Sequence, residues 1–138
     1  GEDAGAATQY EQLLQLDPNN QDARLFLGAL YAKQGQYDRA VDTLKELTRT
    51  SPNSFLAHYT LGRVYTAARN YPEAEKEFQT AIRLSPQSSN LQLDLAELYQ
   101  LQNRNDKAIE IYQKLSLQNP VNHHTFADKI QQIKENKI

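Results

Sequence analysis

Three histidines, His58, His123 and His124, and the carboxylates Glu73, Glu75 and Glu77 are the residues whose chemistry could reach beyond packing. A zinc ion needs converging nitrogen, sulfur or oxygen ligands. The chain has no cysteine, the adjacent His123 and His124 would diverge by about 100° at a helix start, and no carboxylate cluster completes a set with them. The three glutamates alternate around a helix, so they cannot all face one substrate. A Gly-rich phosphate loop, a nucleophile elbow and a His-Asp-Ser order with supporting context are all missing. The sequence therefore predicts no catalytic residue, no metal site and no cofactor. Function must come from a surface, and the surface from the elements that build it.

Those elements announce themselves as a period. Pro18, Pro52, Pro86 and Pro120 stand 34 residues apart, and Pro72 is the only other proline. The same shift superimposes Leu27, Leu61 and Leu95, then Gly28, Gly62 and Ala96, then Tyr31, Tyr65 and Tyr99, then Ala40, Ala74 and Ala108. A period in this range predicts a stacked array. Within residues 21–54, Ala23, Leu27, Leu30 and Tyr31 recur at three- and four-residue steps, the mark of one helical face. Gly35 predicts the stop of this first helix, Gln36 and Tyr37 the turn, and Asp38 the cap that opens a second helix. That helix runs to about Thr50 with Ala40, Val41, Leu44 and Leu47 facing inward, and Ser51 and Pro52 end it. Pro72 opens the corresponding helix of the next unit, where its missing N–H is no loss. Small residues at 28, 62 and 96 and at 40, 74 and 108 let paired helices approach closely, and Leu44, Phe78 and Tyr112 fill the space between them.

The expected division is a partial unit at 1–20, full units at 21–54, 55–88 and 89–122, and a capping helix at 123–138. In the last, Phe126, Ile130, Ile133 and Ile138 form one apolar stripe. Ala6, Tyr10 and Leu13 fall on second-helix positions whose first helix is absent, which predicts either preceding units or docking on another chain. The opening Gly and the absence of Met point to a trimmed tag or a piece of a longer protein.

Bulk properties narrow the partners. A formal charge of −2 from 15 basic and 17 acidic residues argues against a nucleic-acid surface and against a polybasic membrane patch. No apolar run approaches a membrane span and no signal peptide is visible, and a chain without cysteine is equally at home in cytosol and periplasm.

These residues resemble the tetratricopeptide repeat, whose Leu-Gly, Tyr, Ala, aromatic, Ala and Pro pattern over 34 positions they match in three consecutive units. Departures fall at Arg24, His58 and Gln92, where the family has a bulky residue, and at Asn105, where the other units have Tyr37 and Tyr71. The resemblance implies an all-α fold, a right-handed α-solenoid of stacked antiparallel helix hairpins with the first helices lining a concave side. It also implies a non-catalytic module that holds a peptide or helix of a partner protein.

Helix geometry locates that surface independently. The position two before Leu27 lies about 160° around the helix from the core stripe and should be polar. It is Leu25, Tyr59 and Leu93. Beside it lie Ala29, Arg63 and Glu97, then Ala32, Thr66 and Gln100, with Lys33 next to them. The candidate binding residues are thus Leu25, Ala29, Lys33, Tyr59, Arg63, Thr66, Leu93, Glu97 and Gln100. Tyr59 and Arg63 are expected at the centre, Leu25 and Leu93 as apolar flanks, and Lys33 and Glu97 to select charge. Replacing Tyr59 by Ala and Arg63 by Glu is expected to abolish capture with melting unchanged. The Lys and Asn set with which one subclass clamps a chaperone tail is absent, because Leu25, Ala29, Thr60, Asn90 and Asp94 stand in those places. Two other readings remain open: the docking region of a larger enzyme, and self-assembly through Ala6, Tyr10 and Leu13.

Overall fold

Gly35, Arg69 and Asn103 have φ of +75°, +61° and +57°, so one left-handed residue closes each of three helices at the same place in the period. The amide just beyond it, of Gln36, Asn70 or Arg104, donates across the turn to the carbonyl of Tyr31, Tyr65 or Tyr99, each at 2.8 Å. This satisfies a carbonyl that the helix end leaves without a partner. Glycine takes such a φ freely, whereas for other residues it costs roughly 1–2 kcal/mol, least for Asn. Arg69→Gly is therefore expected to raise stability by about 0.5–1 kcal/mol, Asn103→Gly by less, both readable as shifts in urea midpoint.

The computed structural model describes residues 1–136; Ile138, expected in the last apolar stripe, lies outside them. Among the described residues there are eight α-helices, one short 3-10 turn and no strand. They fall into two compact units. The first, residues 1–85, holds α1 (Glu2–Leu16), α2 (Gln21–Lys33), α3 (Tyr37–Thr50), α4 (Phe55–Ala67) and α5 (Tyr71–Leu84). Each helix packs on the next, and α2 also lies against α4. The second unit holds α6 (Ser89–Leu101), α7 (Asn105–Gln118), the turn Pro120–Asn122 and α8 (His123–Glu135), with α7 packed against both α6 and α8.

In the first unit Ala7, Leu27, Tyr31, Ala40, Leu44, Leu47, Ala57, Leu61 and Val64 make one continuous core. The hairpins close tightly because a residue is missing its side chain: a Cβ on Gly28 would sit 2.5 Å from Leu44 Cγ, and one on Gly62 2.7 Å from the Phe78 ring. In the second unit Ala96, Ala108, Tyr112 and Leu115 are all fully buried, with Phe126 and Ile133 of α8 packed in beside them.

Two expectations shift by small steps. The residue before α3 is Gln36, not Asp38, and no side chain caps that helix. Asp38 lies in the first turn, where its charge complements the helix dipole. In α1 the buried alanine is Ala7; Ala6, the counterpart of the fully buried Ala40, is partly exposed.

The three departures at the family's bulky position turn out to share a task. Gln92 Nε2 donates to the Pro86 carbonyl at 3.2 Å, His58 Nε2 lies 3.0 Å from the Pro52 carbonyl, and an Arg24 Nη2 donates to the Pro18 carbonyl. Each fastens the turn before its own helix. Arg24 also lies 3.9 Å from Glu46 on α3, and His58 Nδ1 2.6 Å from Glu77 on α5, so the same side chains link the two helices of a hairpin.

Candidate partner-binding groove

Where α2 and α4 run side by side, alanines at 29, 32 and 67 leave room that larger residues would fill. The result is an open cleft of about 450 Å3. Ala29, Ala32 and Lys33 come from α2; Leu56, Tyr59, Thr60, Arg63, Val64 and Ala67 come from α4. The floor is apolar, two cations stand on it and no carboxylate lines it. A concave, mostly apolar cleft with a few placed polar groups is the usual form of a ligand site.

Tyr59 is held from beneath. Its ring lies 6.1 Å from that of Phe78 on α5, tilted by 40°, and the Arg63 guanidinium lies 5.8 Å from the Tyr59 ring centre. That geometry is favourable for a cation over an aromatic face. Truncating Tyr59 would remove a contact with the core, so the Tyr59→Ala, Arg63→Glu pair is now expected to lower the melting midpoint as well as weaken capture. Lys33 Nζ is 2.7 Å from Asp3 Oδ2 of α1, both side chains well exposed.

The cleft brings together Ala29, Lys33, Tyr59 and Arg63 of the expected set. Leu25 is elsewhere, half-buried against the core of the first unit, and the exposed neighbour is Phe26, stacked on Tyr10 at 5.8 Å. The Thr66 hydroxyl donates back to the Gly62 carbonyl at 2.9 Å and does not line the cleft. Leu93, Glu97 and Gln100 belong to the second unit. There Leu93 is half-buried and Glu97 exposed, while Gln100 accepts a hydrogen bond from the Tyr112 hydroxyl at 3.0 Å. Gln100 also borders a polar hollow of about 290 Å3 with Asn103, Asn105, Lys129 and Asn136.

Leu56 was not foreseen. Its counterparts are Asp22 and Asn90, so repetition hid it; the only signal was an apolar pair, Phe55 and Leu56, in the first turn of α4, exposed by 38% and 43%.

Two tyrosines carry the clearest electrostatic shifts. Burial, a hydrogen bond to Glu11 and the charge of Glu11 push Tyr31 up to about 12, against an opposing pull from Arg39. Burial and then Glu97 push Tyr112 up to about 12. Neither faces the cleft. The His123 and His124 rings stand edge to face 5.8 Å apart, and among the described residues no three His, Asp or Glu side chains converge as metal ligands. No helix is long and apolar enough to cross a membrane among those residues.

The sequence profile of the tetratricopeptide repeat matches residues 3–64 and 65–129. No curated protein sequence matches the chain. Among solved structures it is similar to a crystal structure of MamA, with 29% identity, 99% of this chain and 80% of that one covered, and a TM-score of 0.86. A second crystal structure of MamA is 32% identical over 83% of this chain and 62% of the other, with a TM-score of 0.74. MamA from Desulfovibrio magneticus RS-1 is 25% identical over 83% of this chain and 64% of the other, at a TM-score of 0.77.

Proposed function

The chain belongs to the tetratricopeptide repeat family, and on that basis we propose that it is a non-catalytic adaptor that holds a segment of another protein in the cleft between α2 and α4. The fold is that of a protein-interaction module, and the concave apolar surface between α2 and α4 supports placing the interaction there. One observation carries the reading. Leu56, Ala29, Ala32, Val64 and Ala67 form an apolar floor beside two cations on a surface that two neighbouring helices build together. A peptide or helix laid along it would bury its own apolar side chains there, the mode by which a groove between helices takes a partner segment.

The test is a pair of variants at exposed positions. Leu56→Gln and Ala67→Gln place polar amides on the floor without touching the core. Each is expected to weaken capture of the natural partner by about tenfold, the scale of one lost apolar anchor, with the melting midpoint held within a few degrees. Undiminished retention by both variants in parallel affinity captures overturns the reading.

A further inference from the structure

We propose that the segment held in this cleft is acidic and amphipathic, and that Asp3 of α1 is the internal carboxylate it displaces. The inference rests on the groove reading above and names the chemistry of its occupant.

Arg63 carries the argument. It is exposed, it borders the apolar floor, and among the described residues its one recorded partner is the face of Tyr59. Arg39 pairs with Glu11 and Arg49 with Glu46, at 2.9 and 2.6 Å, whereas among the described residues Arg63 has no such ion pair. A guanidinium left unpaired beside an apolar surface matches a carboxylate placed next to an apolar side chain, and its planar fork can hold both oxygens. Lys33 is the second cation in the lining, and no Asp or Glu lies among the lining residues. A basic segment would meet the like charges of Lys33 and Arg63 in the lining, so the cleft discriminates by charge as well as by shape.

Asp3 shows what such a carboxylate does. It reaches from α1 to Lys33 at 2.7 Å, and both partners are exposed enough for the pair to be weak and exchangeable. A ligand carboxylate can take Lys33 from Asp3 without unfolding anything. Asp3 thus acts as a competitor built into the chain, lowering the affinity of the cleft for acidic ligands.

A display library of random twelve-residue peptides, selected on the wild-type chain and on Arg63→Glu, Asp3→Asn and Leu56→Gln, tests this. Wild type is expected to enrich peptides that pair Asp or Glu with Leu, Ile or Phe, and Arg63→Glu to enrich Lys or Arg in their place. A recovered acidic peptide is expected to bind Asp3→Asn about threefold more tightly and to lose affinity in high salt. Peptides that need Leu56 but show no excess of acid, or ignore Arg63→Glu, overturn the acidic inference and leave the groove standing. Peptides indifferent to both Leu56 and Arg63, or no enrichment at all, overturn the groove as well. Unchanged affinity in Asp3→Asn removes the competitor role of Asp3.

Discussion

Phe78→Ala is expected to destabilise the chain by about 3–5 kcal/mol and to lower its melting midpoint by on the order of 10–15 °C. Phe78 is 2% exposed, and two features make its removal severe. Its ring fills the space that Gly62 leaves open, with ring atoms 2.7 Å from where a Cβ would stand, so its removal leaves a void that Gly62 has no side chain to fill. It also supports Tyr59 from below. The same variant should therefore weaken ligand capture even at temperatures where it remains folded, because the aromatic wall of the cleft loses its rest. Phe78→Leu keeps most of the volume and is expected to lose about 1 kcal/mol. Chemical denaturation of the three chains side by side checks both numbers, and a loss below about 1 kcal/mol for Phe78→Ala would show that the α4–α5 hairpin collapses around the void after all.

The second large effect is alkaline. Tyr31 and Tyr112 each rise from 10.0 to about 12, and both are buried, at 4% and 0% exposure. For a phenol the protonated form is the neutral one, so a raised value means that the fold prefers the neutral ring. The stabilisation is complete below pH 10, where folded and unfolded chains are equally protonated, and is lost as pH climbs from 10 through 12. At 1.36 kcal/mol per unit this amounts to roughly 2–3 kcal/mol for each tyrosine. Denaturation midpoints measured from pH 8 to pH 12 should fall over that window. Tyr112→Phe gives up the hydrogen bond to Gln100 at neutral pH but should show the shallower alkaline decline, and an identical slope in the two chains would assign the decline to other groups.

The period made the architecture readable because it sets positions three times over. Leu27, Tyr31, Ala40 and Leu44 repeat with their geometry, so inward faces and the close approach at Gly28 and Gly62 followed from spacing, while the start of α3 fell at Tyr37 in place of Asp38. What repetition could not show was whatever occurs once. Leu56 has polar counterparts, and Asp3 meets Lys33 through a contact between α1 and α2 that no local pattern encodes. Of the residues that helix rotation put on one strip, Ala29, Lys33, Tyr59 and Arg63 line the cleft together, whereas Leu25 is partly buried against the core of the first unit, a contact that an ideal step of about 100° does not register. Arg24, His58 and Gln92 looked like blemishes in a packing position, since a family pattern written in bulk does not record hydrogen-bond donors.

Those three donors bear on how such a chain can change over time. An arginine, a histidine and a glutamine differ in size, charge and flexibility, yet each reaches the carbonyl of the proline six residues earlier. The turn that leads into each of these three helices is thus fastened by a proline carbonyl and by whichever side chain can donate to it. A unit spliced in or excised at such a turn brings this fastening with it, so at that contact a lengthening or shortening array need not wait for a matched pair of substitutions.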